Sequence, residues 1–298
     1  MSLSELVAGW IATRSINLAP STISGYNTLH RLYIAGTRVG GLQLEDLDGS
    51  DMIELLRPLL ERGCTRQAQL LQVLVSAALR SAVKRRMLCW SPMDEIDHVK
   101  HRSKITPWLT VDQARRLLTT SAAAGDPYYI AWLLMLCCGL RRGEMLALDW
   151  SDVDFDRAVV HVQRQHIDVD GVHLVTKPKS ASSVRDIPLD EHLLTILRLH
   201  SLPSGVILDG ASRTKLSDAL DRALKRAQLP RVTLHGLRHT MASVAAEDDV
   251  PVKVLQSLMG HAHYQTTADI YAHVNQRPRI EAARIISHTL IGARLEIV

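Results

Sequence analysis

Four short segments carry residue types that could do chemistry. The first is Cys138-Gly139-Leu140-Arg141-Arg142-Gly143-Glu144, where a helix stop precedes an arginine and a carboxylate three residues apart. The second runs from Lys177 through Pro178, Lys179 and Ser180 to Arg185-Asp186-Ile187-Pro188-Leu189, a lysine on the approach to a strand. The third is Leu234-His235-Gly236-Leu237-Arg238-His239. The fourth is Leu258-Met259-Gly260-His261, continuing through Thr267 to Tyr271-Ala272-His273. Arginine is the better bidentate ligand for phosphate. His235 and Arg238 fall at a predicted helix start, where an offset of three puts both on one face beside unsatisfied N–H groups. That arrangement suits an anion.

Each segment alone has a blander reading. With 14 histidines and 27 arginines in 298 residues, chance gives about 1.3 His-x-x-Arg pairs, and two occur. The other pair, His161 and Arg164, lies on a predicted strand, where an offset of three points the side chains to opposite faces. It reads as the chance pair. Arg141 with Glu144 alone reads as an exposed ion pair worth about 0.3–0.5 kcal/mol. A hairpin lysine is usually solvated, and a lone helical tyrosine usually packs.

The elements that must hold these segments follow from periodicity and caps. The first hundred residues read as helices only. Residues 4–14 form a short one, and Ile23, Tyr26, Leu29 and Tyr33 recur at helical spacing after Pro20. A third helix spans about residues 50–62 and stops at Gly63. The longest runs from Thr65, taken as N-cap, to about Met87, with Leu70, Leu74, Ala77 and Ala78 on one side. Its end, Lys84-Arg85-Arg86, places cations at a helix C-terminus. Trp90-Ser91-Pro92 breaks the pattern. Asp94 to Pro107 has no apolar periodicity and carries Lys100, His101, Arg102 and Lys104. It reads as an interdomain linker, either a solvated loop or a basic strap along phosphates.

Beyond it, Thr110-x-x-Gln113 signals a capping box. Asp126-Pro127 starts a helix that runs to Cys138 and stops at Gly139. From Trp150 the period becomes two, through Val153, Phe155, Val160 and Val162, a turn at Asp170-Gly171, and residues 172–175. Residues 185–188 add a strand. Helices resume near Asp190, Ser212, Thr233 and Pro251. The expected fold is mainly α with a small antiparallel sheet. Residues 1–100 form one domain, 101–108 a linker, 109–275 a second domain and 276–298 a C-terminal tail.

Composition narrows the function classes. Apolar residues are 46% and charged residues 22% of the chain, which excludes wholesale disorder. No apolar run reaches the ~18 residues of a membrane span, and no secretory signal opens the chain. Four cysteines without C-x-x-C spacing argue against a disulfide framework or zinc knuckle and fit a reducing cytoplasm. A net charge of +4 and a pI of 8.9 are compatible with a nucleic-acid partner. With one phenylalanine, a Phe-rich platform for single strands is disfavoured.

Taken together and in this order, the four segments resemble the tyrosine recombinase (phage-type integrase) family over about residues 105 to 275. The family pattern is G-L-R-x-G-E, a hairpin lysine before R-x-I-P-L, L-H-x-L-R-H, L-G-H, then a tyrosine two residues before a histidine. This chain matches with Arg141 and Glu144, Lys179, His235 and Arg238, His261, and Tyr271 with His273. Departures are Cys137-Cys138, where a small hydroxyl residue is usual before Gly139, and Met259 in place of leucine. Lys177 competes with Lys179, but the spacing from Lys179 to Ile187 fits the family better.

The resemblance implies an all-helical core DNA-binding domain and an α+β catalytic domain. It implies a site-specific recombinase acting on double-stranded DNA recombination sites through a 3′-phosphotyrosine. Arg141, Lys179, His235, Arg238, His261 and Tyr271 would be catalytic, with Glu144 orienting the histidine and arginine. No cofactor, metal or ATP is implied, and the H-E-x-x-H pattern of metal chemistry is absent from the sequence. The protein would be a cytoplasmic, nucleoid-associated monomer that forms a homotetramer on DNA, its tail exchanged between protomers. The rivals are a type IB topoisomerase, a catalytically silent DNA-binding regulator and a metal-dependent nuclease. The apolar helical pattern after Asn275 argues against the first, and intact Tyr271, Arg141 and Arg238 against the second. Activity in a chelator separates the third.

Overall fold

The computed structural model describes residues 1–101, 106–169, 171–178, 181–265 and 267–268. The chain divides into two compact units, residues 1–104 with the hairpin tip 168–173, and residues 105–167 with 174–298. Among the described residues no helix is long and apolar enough to cross a membrane.

The first unit contains α1 (Leu3–Arg14), α2 (Pro20–Tyr33), α3 (Arg38–Gly41), α4 (Gly49–Glu61) and α5 (Thr65–Lys84). Ser2 with Glu5 and Asp48 with Asp51 close capping boxes at α1 and α4, fixing where those helices begin. Leu6, Val7 and Ile11 of α1 meet Leu55 and Leu59 of α4 and Leu71, Leu74 and Ala78 of α5 in one buried core. Thr65 is the first residue of α5, not its cap. Its hydroxyl lies 2.9 Å from His101 Nδ1. The helix ends at Lys84, short of Met87, because the chain turns at Arg86, which takes φ 61°.

The front half of the span read as a linker belongs to this unit. Ile96 and Val99 pack against its core. The buried amide of Gln72 donates to the Asp97 carbonyl (3.0 Å) and accepts from the Val99 N–H (2.8 Å). Two apolar residues in a polar stretch leave no periodicity to read. Lys100 is exposed. Arg102 and Lys104, the other cations of the suggested strap, lie outside the described residues.

The second unit contains α6 (Val111–Ala123), α7 (Tyr129–Cys137) and α8 (Arg142–Ala147). Strands β1 (Val153–Asp154), β2 (Val159–Val162), β3 (Gln165–Val169), β4 (Val172–Thr176) and β5 (Arg185–Pro188) follow, residues 168–173 of β3 and β4 grouping with the first unit. Helices α9 (Glu191–His200), α10 (Arg213–Arg226), α11 (Leu234–Glu247) and α12 (Val252–Met259) complete it. Ile130 to Leu136 of α7 are all buried, as expected of a helix with no polar face. Asp190, Ser212 and Thr233 cap α9, α10 and α11 through their side chains, as their positions predict.

The expected single sheet is two. One has the order β1-β2-β5, antiparallel, with Val160 between Val153 and Ile187, and the other is the β3–β4 hairpin. They part at Gln163-Arg164, where the Arg164 guanidinium turns to both carboxylate oxygens of Asp152 (2.7 and 2.6 Å). His161 instead meets Asp186 at 2.7 Å, so the two residues of the chance His-x-x-Arg pair make unrelated contacts, the arginine's with a buried carboxylate.

Candidate active site

Arg141 occupies the N-cap of α8 in extended backbone (φ −70°, ψ 152°), so its side chain and that of Glu144 can close on each other. The Arg141 N–H donates to Glu144 Oε2 (2.9 Å) and its Nη1 to Oε1 (2.6 Å). This pair is not the solvated one its spacing suggests. The Glu144 side chain is 1% exposed. A buried carboxylate needs partners on both oxygens, and β5 supplies them: Arg185 gives Nη1 to Oε1 (3.1 Å) and Nη2 to Oε2 (2.9 Å). Burial pushes the Glu144 pKa up, but the Arg185 hydrogen bonds and the two arginine charges outweigh it and hold the group below the usual carboxylate value.

The end of α12 gathers the arginines. The last carbonyls of a helix have no partner within it and carry the negative end of its dipole. Three in succession are capped here by three different guanidiniums: Arg185 Nε on Leu258 O (2.6 Å), Arg238 Nη2 on Met259 O, and Arg141 Nη2 on Gly260 O (2.6 Å). Gly260 takes φ 62°, and a Cβ there would lie 2.8 Å from Ser182 O and 3.1 Å from Arg185 Cδ. Only glycine fits such a position. Arg238, on the first turns of α11, also donates Nη1 to Gly139 O (2.6 Å) and lies 4.0 Å from Glu144. Its side chain is 1% exposed, and its buried Nε has no partner among the described residues.

The histidines stand around this cluster. His235 keeps an open edge to solvent, while its ring meets His239 edge-on with centroids 4.7 Å apart. Crowding by protein, then the charges of His239, Arg238, Arg141 and Arg142, push His235 down to about 4. Burial, then Arg238 and Arg141, push His261 down to about 3, and its Nδ1 lies 2.8 Å from the hydroxyl of the buried Thr267. His239 is lowered by burial and Arg238. At neutral pH the site therefore holds three neutral imidazoles. Three guanidiniums face one carboxylate, an excess of positive charge suited to an oxyanion.

Five of the residues read from sequence, Arg141, Glu144, His235, Arg238 and His261, thus come together. Lys179 and Tyr271, with His273, lie outside the described residues; Lys177 is described and exposed. Arg185 was quoted in the strand motif without being assigned a part. The signal was present: Arg185 sits two residues before buried Ile187, on the same face of β5. Among the described residues, His166, Asp168 and His173 of the β3–β4 hairpin bring possible metal-ligand atoms within 4.8 Å of one another, and none belongs to the arginine cluster. His173 already hydrogen-bonds Asp168.

Comparison with known proteins agrees with this constellation. Residues 107–277 match the phage integrase family. The chain is 24% identical to a tyrosine recombinase XerC-like protein of Caldanaerobacter subterraneus subsp. tengcongensis, with 98% of this chain and 84% of that protein covered. Its fold is similar to the Tn1549 transposon integrase solved with transposon right end DNA (TM-score 0.80, 23% identity, 98% of this chain and 100% of that one). It is also similar to a lambda integrase tetramer bound to a Holliday junction (TM-score 0.67, 18% identity, 91% and 77%). The chain belongs to the phage integrase family, and the enzyme class is that of the site-specific tyrosine recombinases.

Proposed function

We propose that this recombinase cuts and rejoins double-stranded DNA through a 3′-phosphotyrosine formed by Tyr271. The observation that carries the reading is the meeting of Arg141, Arg238, His235 and His261 around the end of α12. Substitution at phosphorus builds negative charge on the non-bridging oxygens. Arg141 and Arg238 stabilise it with paired donors, and His261 adds a hydrogen bond. The Tyr271 oxygen attacks phosphorus and its proton passes to His235, which is neutral near pH 7 and therefore able to accept it. The bond to the 5′-oxygen breaks, and Lys179 gives that oxygen its proton. A partner strand's 5′-hydroxyl later attacks the phosphotyrosine in reverse. Bond energy stays in the protein–DNA ester, so neither ATP nor a metal enters the scheme.

In the same reading, residues 1–100 form the core DNA-binding domain and 109–275 the catalytic domain, joined by 101–108. The protein is cytoplasmic and nucleoid-associated, binds a half-site as a monomer and assembles as a tetramer on paired sites. The lambda integrase tetramer on a Holliday junction supports that state. A nicked suicide duplex carrying the recombination core tests the chemistry. Wild type should accumulate a covalent adduct in excess EDTA, while Tyr271→Phe binds the duplex and forms none. An adduct with the Phe variant removes Tyr271 from its role, and a strict need for Mg²⁺ in cleavage removes the metal-free scheme.

A further inference from the structure

We infer that Arg185 is a positioning residue for phosphoryl transfer: it engages both oxygens of Glu144 and so keeps donors of Arg141 free for the scissile phosphate. The inference rests on the recombinase reading above. Arg185 is too enclosed to meet DNA itself, its side chain being 6% exposed. Its side chain makes four hydrogen bonds with this neighbourhood. Two go to the Glu144 oxygens, one to Leu258 O, one to Ser183 O (3.0 Å), and β5 holds its backbone opposite Val162 of β2.

The consequence falls on Arg141. A guanidinium has five N–H donors. Arg141 spends three on the described residues: one on Glu144, one on Ser183 Oγ (3.4 Å) and one on Gly260 O. Because Arg185 already takes both carboxylate oxygens, the Arg141 guanidinium meets Glu144 through Nη1 alone, and the side chain remains 32% exposed. Without Arg185, a buried carboxylate would face Arg141 with only the more distant Arg238 beside it. The favoured geometry for such a pair is the bidentate fork, which draws on the donors a phosphate needs. Leu258 O would also lose its cap, at the helix end that leads into His261.

The test compares two suicide duplexes that differ at the scissile position, an ordinary phosphate and a charge-neutral methylphosphonate. If Arg185 acts through Arg141, its loss matters where charge must be stabilised. Arg185→Met should cleave the phosphate duplex slower by about 10²-fold, the scale of one lost oxyanion donor. On the methylphosphonate duplex it should stay near the wild-type rate. Arg141→Lys should show the same selectivity. Arg185→Lys keeps a cation beside Glu144 without the fork, and it decides the matter if the Met variant does not fold. Its phosphate-to-methylphosphonate ratio should also fall. Equal losses on both duplexes, or none on either, overturn the inference and leave the recombinase reading standing. A wild-type protein that forms no adduct on the phosphate duplex overturns that reading, and the inference with it.

Discussion

Three imidazoles held neutral beside three guanidiniums give the site a measurable dependence on pH. His235, His239 and His261 all titrate below their ordinary value in the folded chain, to about 4 for His235 and about 3 for His261. The unfolded chain, with histidines near 6.5, therefore binds more protons between those values. Stability contributed by these groups is complete above about pH 6.5 and is lost as pH falls toward 4 and then 3. Urea midpoints should drop from pH 7 to 4.5, and His261→Gln should drop less steeply. An unchanged slope in that variant means that His261 is not held neutral by its neighbours. Lys179 is tested differently. Lys179→Ala should slow cleavage of a normal 5′-oxygen far more than of a 5′-bridging phosphorothiolate, since sulfur leaves without a proton. Equal losses on the two substrates remove Lys179 from that role, and the same comparison with Lys177→Ala is then the next test.

At the scale of elements, the end of α12 is where the site is assembled. Gly260 turns the chain so that three carbonyls face three arginines, and it does so in a conformation and a space that admit no Cβ. Gly260→Ala should cost at least the ~1–2 kcal/mol of left-handed backbone, with the displacement of Ser182 or Arg185 added. Gly171 offers a control. It has φ 81° in the β3–β4 turn, and a Cβ there meets nothing within 4 Å. Gly171→Ala should show the backbone cost alone. Thermal unfolding of the two variants measures the difference, and equal losses would mean that the α12 end yields freely. The same logic explains Gly236, whose Cβ would lie 2.6 Å from Pro107 O. The neighbouring Leu109 N–H donates 3.0 Å to Thr240 Oγ1, so residues entering the second unit are docked on α11 beside His235.

Whole-molecule behaviour follows from charge and from the tail. Binding of a half-site should weaken steeply with salt, because phosphate contacts release counterions, and a log–log slope near zero would speak against a duplex partner. Residues 276–298 are the proposed contact between protomers. Deleting Arg279 to Val298 should leave half-site binding intact and reduce tetramers on a full site in sedimentation. Unimpaired assembly by the truncated chain assigns the tail to packing within its own protomer.

Much of this protein is written in local signals. Asp190, Ser212 and Thr233 mark helix starts because a cap needs only a side chain and an N–H three residues on. The four chemical segments were legible for a related reason: their residue types recur at short, ordered spacings. What local spacing cannot hold is who meets whom across the chain. Arg141 reaches Gly260 over 119 residues, Arg238 reaches Gly139 over 99, and Arg185 reaches Leu258 over 73. Those pairings turned an apparently exposed Arg141–Glu144 pair into a buried network, and they gave Arg185 a part its motif did not announce. They also split the sheet at Arg164 and tied Val99 to Gln72 within a presumed linker. Sequence determined which groups are present and where the helices begin, because caps and periodicity act over a few residues. Only the tertiary structure decided which charges are buried together, because desolvation depends on every element packed around them.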